Sequence, residues 1–204
     1  RLEFAKVFGQ SAETYELASD YAKAAQDYGK AFEQVEKWSD EDAWYYKAHE
    51  AAALAEAGNY SGDNALLVRG IDAYRKSLTY LTKDGAPLRW AATSNNMAAA
   101  LSTLGERESG SENLDRAAEA YEQALTVYTR AEHPDDWAST MSNLGTVYWR
   151  LGQRESGTAR LEKAVAAFHA ALDVQSAKSI PLEWAATQNN LGIVLSEIGE
   201  RQAT

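Results

Sequence analysis

In ARLEKAVAAFHAALDV, residues 159–174, the apolar side chains Leu161, Ala164, Val165, Phe168, Ala171 and Leu172 fall at i, i+3, i+4, i+7, i+10 and i+11. A period of 3.6 puts them on one face of a helix. Leu114, Ala117, Ala118, Tyr121, Ala124 and Leu125 repeat the pattern 47 residues earlier. The polar and apolar alternation predicts helices over 11–37, 41–57, 64–82, 87–104, 112–131, 135–151, 159–176 and 182–198, with a short stub at 2–8. In the three later repeats the helix preceding the amphipathic one begins beside Pro, at 87, 134 and 181, which has no N–H to leave unpaired in a first helical turn. It is expected to stop at the Gly of LGER or LGQR, where Gly can adopt the left-handed conformation that ends a helix. The segment ESG, at 108–110 and 155–157, then reads as turn.

The period organises the chain. Trp90, Trp137 and Trp184 are 47 residues apart, as are Pro87, Pro134 and Pro181, which are all the prolines present. Gly58, Gly105, Gly152 and Gly199 keep the step, and so do Leu67, Leu114 and Leu161, then Tyr74, Tyr121 and Phe168. A fixed period of this length signals stacked helix pairs, each covering its neighbour's apolar face. One solenoid domain over 1–204 is expected: a degenerate or capping repeat at 1–40, repeats at 41–86, 87–133 and 134–180, and the first helix of a further repeat at 181–204. The opening region fits less well, because Tyr28 precedes Tyr74 by 46 and Trp44 precedes Trp90 by 46.

These residues resemble the tetratricopeptide repeat. That family's helix pair carries Leu-Gly, an aromatic three residues on, a Gly at the turn, then Ala and an aromatic on the second helix. Leu144, Gly145, Tyr148, Gly152, Ala164 and Phe168 fill those places in order. NNLGIVLSEIG from Asn189 and NNMAAALSTLG from Asn95 match with Leu195 and Leu101 in place of the aromatic. The unit is longer than the usual ~34 residues. In this it is similar to long variants in large bacterial multidomain proteins and to the lengthened repeats of kinesin light chain. The resemblance implies an all-α, right-handed superhelical solenoid of antiparallel helix pairs. The chain closes on GERQAT where GERESG and GQRESG lead into a second helix, and it begins without Met. A longer array, with an effector domain elsewhere, is therefore expected.

Composition narrows the function. The 204 residues are 45% hydrophobic and 25% charged, with no Cys, which excludes disulfides and thiolate metal sites. No apolar run approaches the roughly 18 residues of a membrane span, and the start does not read as a signal peptide, so a cytoplasmic location and no membrane partner are expected. A net charge of −10 without a basic, aromatic-interleaved cluster argues against nucleic acid. No catalytic constellation or cofactor motif stands out. His49, His133 and His169 share no repeat phase, His49-Glu50 lacks a second His at 53, and GERESGS lacks the Lys of a phosphate loop. Asp135-Asp136 and Glu106/Glu108 suit helix starts and turns.

A non-catalytic scaffold remains. In the resembled family the first helices line a concave groove, and the residue before Leu-Gly points into it and bonds a peptide backbone. That position is Asn96, Asn143 and Asn190 here, and an amide both donates and accepts. The same asparagines would equally serve to cap or bridge neighbouring helices. Selectivity is expected from Asn95, Ser142, Thr146, Trp149, Arg150 and Asn189, with Trp149 and Arg150 of the kind that dominate hot spots. Trp90, Trp137 and Trp184 lie on the core face and are expected to pack repeat on repeat. The Lys and Arg of a carboxylate clamp are missing, so a neutral or basic segment fits better than an acidic tail. The alternative is a structural spacer or self-association module, with homo-oligomers formed through terminal helices.

Overall fold

Proline opens helices where the pattern places it: Pro134 and Pro181 each stand in the first turn of theirs. The computed structural model describes residues 1–176, 178 and 180–203. The expected repeat at 134–180 and the segment at 181–204 include residues 177, 179 and 204, which lie outside the described ones. Two compact units divide the chain, 1–104 and 105–204. Unit 1 contains α1 (Leu2–Leu17), α2 (Tyr21–Val35), α3 (Asp40–Ser61) and α4 (Asn64–Ser77), then a 3-10 turn at Leu78–Tyr80. It also holds most of α5 (Pro87–Arg107). Unit 2 contains α6 (Glu112–Leu125), α7 (Pro134–Gln153), α8 (Ala159–Leu172) and α9 (Pro181–Gln202).

Within unit 1 the successive pairs α1–α2, α2–α3 and α3–α4 pack together, and in unit 2 α6–α7, α7–α8 and α8–α9 do so. This is the all-α solenoid arrangement that the period predicts. The period's anchors form the core: Leu67 and Tyr74 are buried in unit 1, and Leu114, Tyr121, Leu161 and Phe168 in unit 2. Each such side chain stabilises by about 1.5–3 kcal/mol relative to exposure. Trp90, Trp137 and Trp184 are half-buried. Lys83 stands over the Trp90 ring at 5.7 Å and Arg130 over Trp137 at 5.6 Å. Among the described residues no helix is long and apolar enough to cross a membrane.

Two local expectations are overturned. The helix expected over 11–37, and the stub before it, are instead two helices, α1 and α2. α1 ends where Ser19 takes a left-handed φ of 58° and the Ser19 and Asp20 amides turn back to the carbonyls of Glu16 and Tyr15. Asp20 then caps α2, its carboxylate accepting from the Lys23 amide. No Gly or Pro marks this turn.

The recurring glycines do not stop the first helices either. α3 continues past Gly58, α5 past Gly105, α7 past Gly152 and α9 past Gly199, and none of the four has a positive φ. Of the described glycines only Gly62, which closes α3, is left-handed. The reason for glycine is proximity. A Cβ on Gly105 would stand 2.9 Å from the Leu114 backbone nitrogen, and one on Gly152 would stand 2.5 Å from Leu161 Cδ2. Gly145 is held in the same way against the Phe168 ring, 2.8 Å from a built Cβ. These glycines let the second helix lie close on the first.

Candidate protein-interaction surface

In unit 2 the two first helices, α7 and α9, are brought side by side by polar contacts. The hydroxyls of Ser142 and Thr187 hydrogen-bond at 2.9 Å, and Thr187 donates to the Glu183 carbonyl at 2.8 Å. About two turns further along α7, Trp149 Nε1 donates to Glu197 Oε2 at 3.0 Å. Glu197 Oε1 in turn accepts from Arg201 at 2.5 Å. A part-buried hydroxyl pair and a charge-assisted bond to indole therefore fix the register of α7 against α9.

On that framework Asn143 is exposed and makes no side-chain hydrogen bond with the described residues. Asn189 is exposed and Asn190 half-buried, likewise without side-chain partners among the described residues. The half-buried Thr146 donates its hydroxyl to the Ser142 carbonyl one turn back in α7 at 3.2 Å. Arg150 stacks its guanidinium over Trp149 at 4.4 Å and donates from Nε to Glu106 at 3.1 Å. It also donates to Gln153 at 3.3 Å. Glu106, Arg150, Gln153 and Arg154 line an open polar hollow of about 450 Å³. Trp149 itself is only 8% exposed, so its ring serves as a wall beneath Arg150. In unit 1, α5 carries Asn96, exposed, and Asn95, half-buried.

The structure also assigns roles at two period-47 positions to which the repeat motif gives none. Thr93, Thr140 and Thr187 share one position, and all are buried. In unit 1 Thr93 accepts from Trp44 Nε1 at 3.1 Å, another contact between first helices. Arg107, Arg154 and Arg201 share the other position. Arg154 donates to the carbonyls of Gly105 at 2.6 Å and Glu108 at 2.7 Å, and also to that of Gly110. Arg201 repeats the set one unit on, reaching Gly152, Glu155 and Gly157 at 3.0, 2.8 and 2.7 Å. Arg154 and Arg201 thus each gather the carbonyls of the preceding turn, as a planar five-donor fork is able to do. The regular spacing of both residue types was the available signal.

Titratable groups follow the packing. Burial, then the hydrogen bond to Glu122, pushes the Tyr148 phenol up to about 12. In unit 1 His49 lies between the Tyr28 and Tyr45 rings, with centroids at 5.2 and 4.3 Å. Burial holds its pKa below the ordinary value, against the pull of Glu16 and Glu13. Among the described residues no group of three or more His, Asp or Glu is placed to hold a metal ion.

Comparison with known proteins agrees with this geometry. The crystal structure of BtubC (BKLC) from P. vanneervenii superposes with a TM-score of 0.71 at 19% identity, covering 94% of this chain and 71% of that one. At that identity the likeness bears on the fold alone. The DHF58 filament covers 99% of this chain and 94% of that one at 18% identity, and its TM-score of 0.41 carries no argument. No curated protein matches the sequence. Residues 137–174, which run from Trp137 on α7 through α8, match the family described as Tetratricopeptide repeat. Such repeats generally mediate protein–protein interaction or scaffolding, and the family is typically non-catalytic. Residues 137–174 of this helical-repeat chain are thus similar to a tetratricopeptide repeat.

Proposed function

We propose that the protein is a non-catalytic scaffold that holds a neutral or basic peptide segment against its first helices. In unit 2 the contact residues are Asn143 on α7 and Asn189 and Asn190 on α9, with Ser142 and Thr146 shaping the floor. The stacked pair Arg150 and Trp149 forms one end. In unit 1 Asn96, with Asn95 beside it, plays the corresponding part on α5. The observation that carries this reading is that the Asn143 side-chain amide is exposed and makes no side-chain hydrogen bond with the described residues. An amide in that state pairs with a peptide N–H and C=O together, giving affinity with little demand on sequence. The acidic balance of −10 favours a neutral or basic segment. The test is titration of selected neutral and basic peptides into the protein and into Asn143→Ala and Asn190→Ala variants. Both substitutions are expected to weaken binding, and unchanged affinity in both would remove the assignment.

A second reading, self-association or spacing within a larger assembly, draws support from α9, where Leu182, Ile193 and Leu195 are exposed. A mass in solution that rises with concentration, and falls back in a Leu195→Asp variant, would favour it over peptide capture.

A further inference from the structure

In unit 2 the space where a first helix lies beneath two second helices is filled by a tyrosine. Tyr148 of α7 is only 7% exposed. Its phenol donates to Glu122 of α6, and from α8 Arg160 and Lys163 stand over its ring at 5.9 and 5.4 Å.

Unit 1 keeps one part of that arrangement and loses the rest. Leu54 of α3 stands two periods before Tyr148, and Leu66 and Arg69 of α4 stand two periods before Arg160 and Lys163. Gly29 of α2 follows Tyr28 as Glu122 follows Tyr121. The ring, its carboxylate and one cation are thus replaced by Leu, Gly and Leu, and only the second cation survives. What is left is a hollow of about 390 Å³ bounded by α2, α3 and α4, with Gly29, Glu50, Leu54, Leu66 and Arg69 in its lining. Ligand sites typically measure roughly 300–1,000 Å³. No absent helix accounts for the opening: α2, α3 and α4 pack in succession as α6, α7 and α8 do, and the difference lies in the side chains between them.

The hollow holds two groups suited to an aromatic ring. Arg69 is exposed and makes no ion pair or hydrogen bond with the described residues, so its guanidinium is free to cover a ring as Lys163 covers Tyr148. A carboxylate also stands near the point from which Glu122 branches in unit 2. Glu50 comes within 3.5 Å of a Cβ built on Gly29. Its Oε2 accepts from Lys47 at 2.7 Å, while its Oε1 makes no hydrogen bond with the described residues. The Glu50 side chain is 14% exposed, and a hydrogen bond to it is correspondingly little weakened by water. A second hollow, of about 330 Å³, shares Glu50, Leu54 and Arg69 and runs on past Lys47, Asp72 and Lys76. The furrow is therefore longer than one ring and has room for the chain that carries it.

We propose that the furrow between α2 and α4 binds a peptide segment of a partner through one tyrosine, whose ring occupies the hollow over Leu54. The phenol donates to Glu50 Oε1 and Arg69 covers the ring, so a borrowed side chain restores what Tyr148 provides in unit 2. The furrow uses none of the asparagines of the proposed peptide surface, and each assignment stands or falls without the other.

The probe is the pentapeptide acetyl-Gly-Gly-Tyr-Gly-Gly-amide, titrated into isotope-labelled protein and followed through backbone amide resonances. Saturable shifts are expected at Gly29, Leu54 and Arg69. With Phe in place of its Tyr the peptide should bind about fivefold more weakly, through loss of the hydrogen bond, and with Ala not at all. Arg69→Ala removes an exposed, unpaired side chain and should weaken binding about two- to fivefold. Leu54→Tyr fills the hollow from within and should abolish binding at unchanged helical content. p-Cresol, which cannot reach the adjoining hollow, should bind more weakly than the pentapeptide. Absence of saturable shifts at these amides overturns the proposal, as does parent-like affinity in either protein variant. Equal affinity for p-cresol and the pentapeptide also overturns it, because the occupant is then a free phenol.

Discussion

The Arg201 guanidinium donates from Nη2 to the carbonyl of Gly152 at 3.0 Å, joining the end of one first helix to the turn of the repeat before it. Arg154 stands in the same relation to Gly105 at 2.6 Å. Carbonyls at a helix end lack intrahelical partners, and one arginine gathers that of Gly152 together with the turn carbonyls of Glu155 and Gly157. Lysine, a single point of charge, does not span them. Arg154→Lys is therefore expected to lower stability by about 1–2 kcal/mol despite keeping the charge. A denaturant midpoint equal to that of the parent chain would show the clamp to be energetically idle.

One repeat position is expected to respond to the same substitution with opposite signs. Alanine normally stabilises a helix over glycine by about 1 kcal/mol. At Gly192, where a Cβ meets open space, Gly192→Ala should show that gain. At Gly145 the new methyl would press on the buried Phe168 ring, so Gly145→Ala is expected to cost about 1–3 kcal/mol. Chemical unfolding of the two variants checks both signs.

The Ser142–Thr187 bond ties half-buried Ser142 on α7 to buried Thr187 on α9. Thr187→Val leaves Ser142 without that partner and is expected to cost about 1 kcal/mol. Adding Ser142→Ala should recover part of it. A double-mutant cycle on unfolding free energies measures the coupling, and additivity would show that the pair does not hold the two helices.

Unit 1 should weaken in mild acid. Burial places the His49 pKa below the 6.5 of an unconstrained imidazole. As pH falls through about 6.5 the unfolded chain takes up the proton before the folded one, so stability is lost below that point and is insensitive to this group above it. His49→Phe fills the space between Tyr28 and Tyr45 without titrating. The drop in denaturant midpoint from about pH 7.5 to 5.5 is expected to be smaller in the variant than in the parent. An identical drop in both would assign the acid sensitivity elsewhere.

Sequence periodicity carries most of this architecture, since a core rebuilt every 47 residues repeats Leu161, Phe168 and Pro134 in step with their counterparts. The turn at Ser19 was not legible, because a left-handed serine held by two backbone bonds leaves no residue signature such as Gly or Pro. The glycines were legible as positions but not as purpose: helix termination and close approach select the same residue, and only the distance to Leu161 separates them. For the candidate surface, the motif places Asn143 and Asn190 on adjacent first helices. It does not reveal that Trp149 is drawn under Arg150 by Glu197, a residue 48 positions away.

The central claim, that the first helices of unit 2 capture a peptide backbone through their asparagines, has one direct measurement. A peptide selected for binding from a random library is titrated into the parent chain and into the Asn143→Ala/Asn190→Ala double variant, with helical content checked in both. The account predicts an affinity about tenfold or more weaker in the double variant at unchanged helicity. Equal affinity in the two proteins would contradict it.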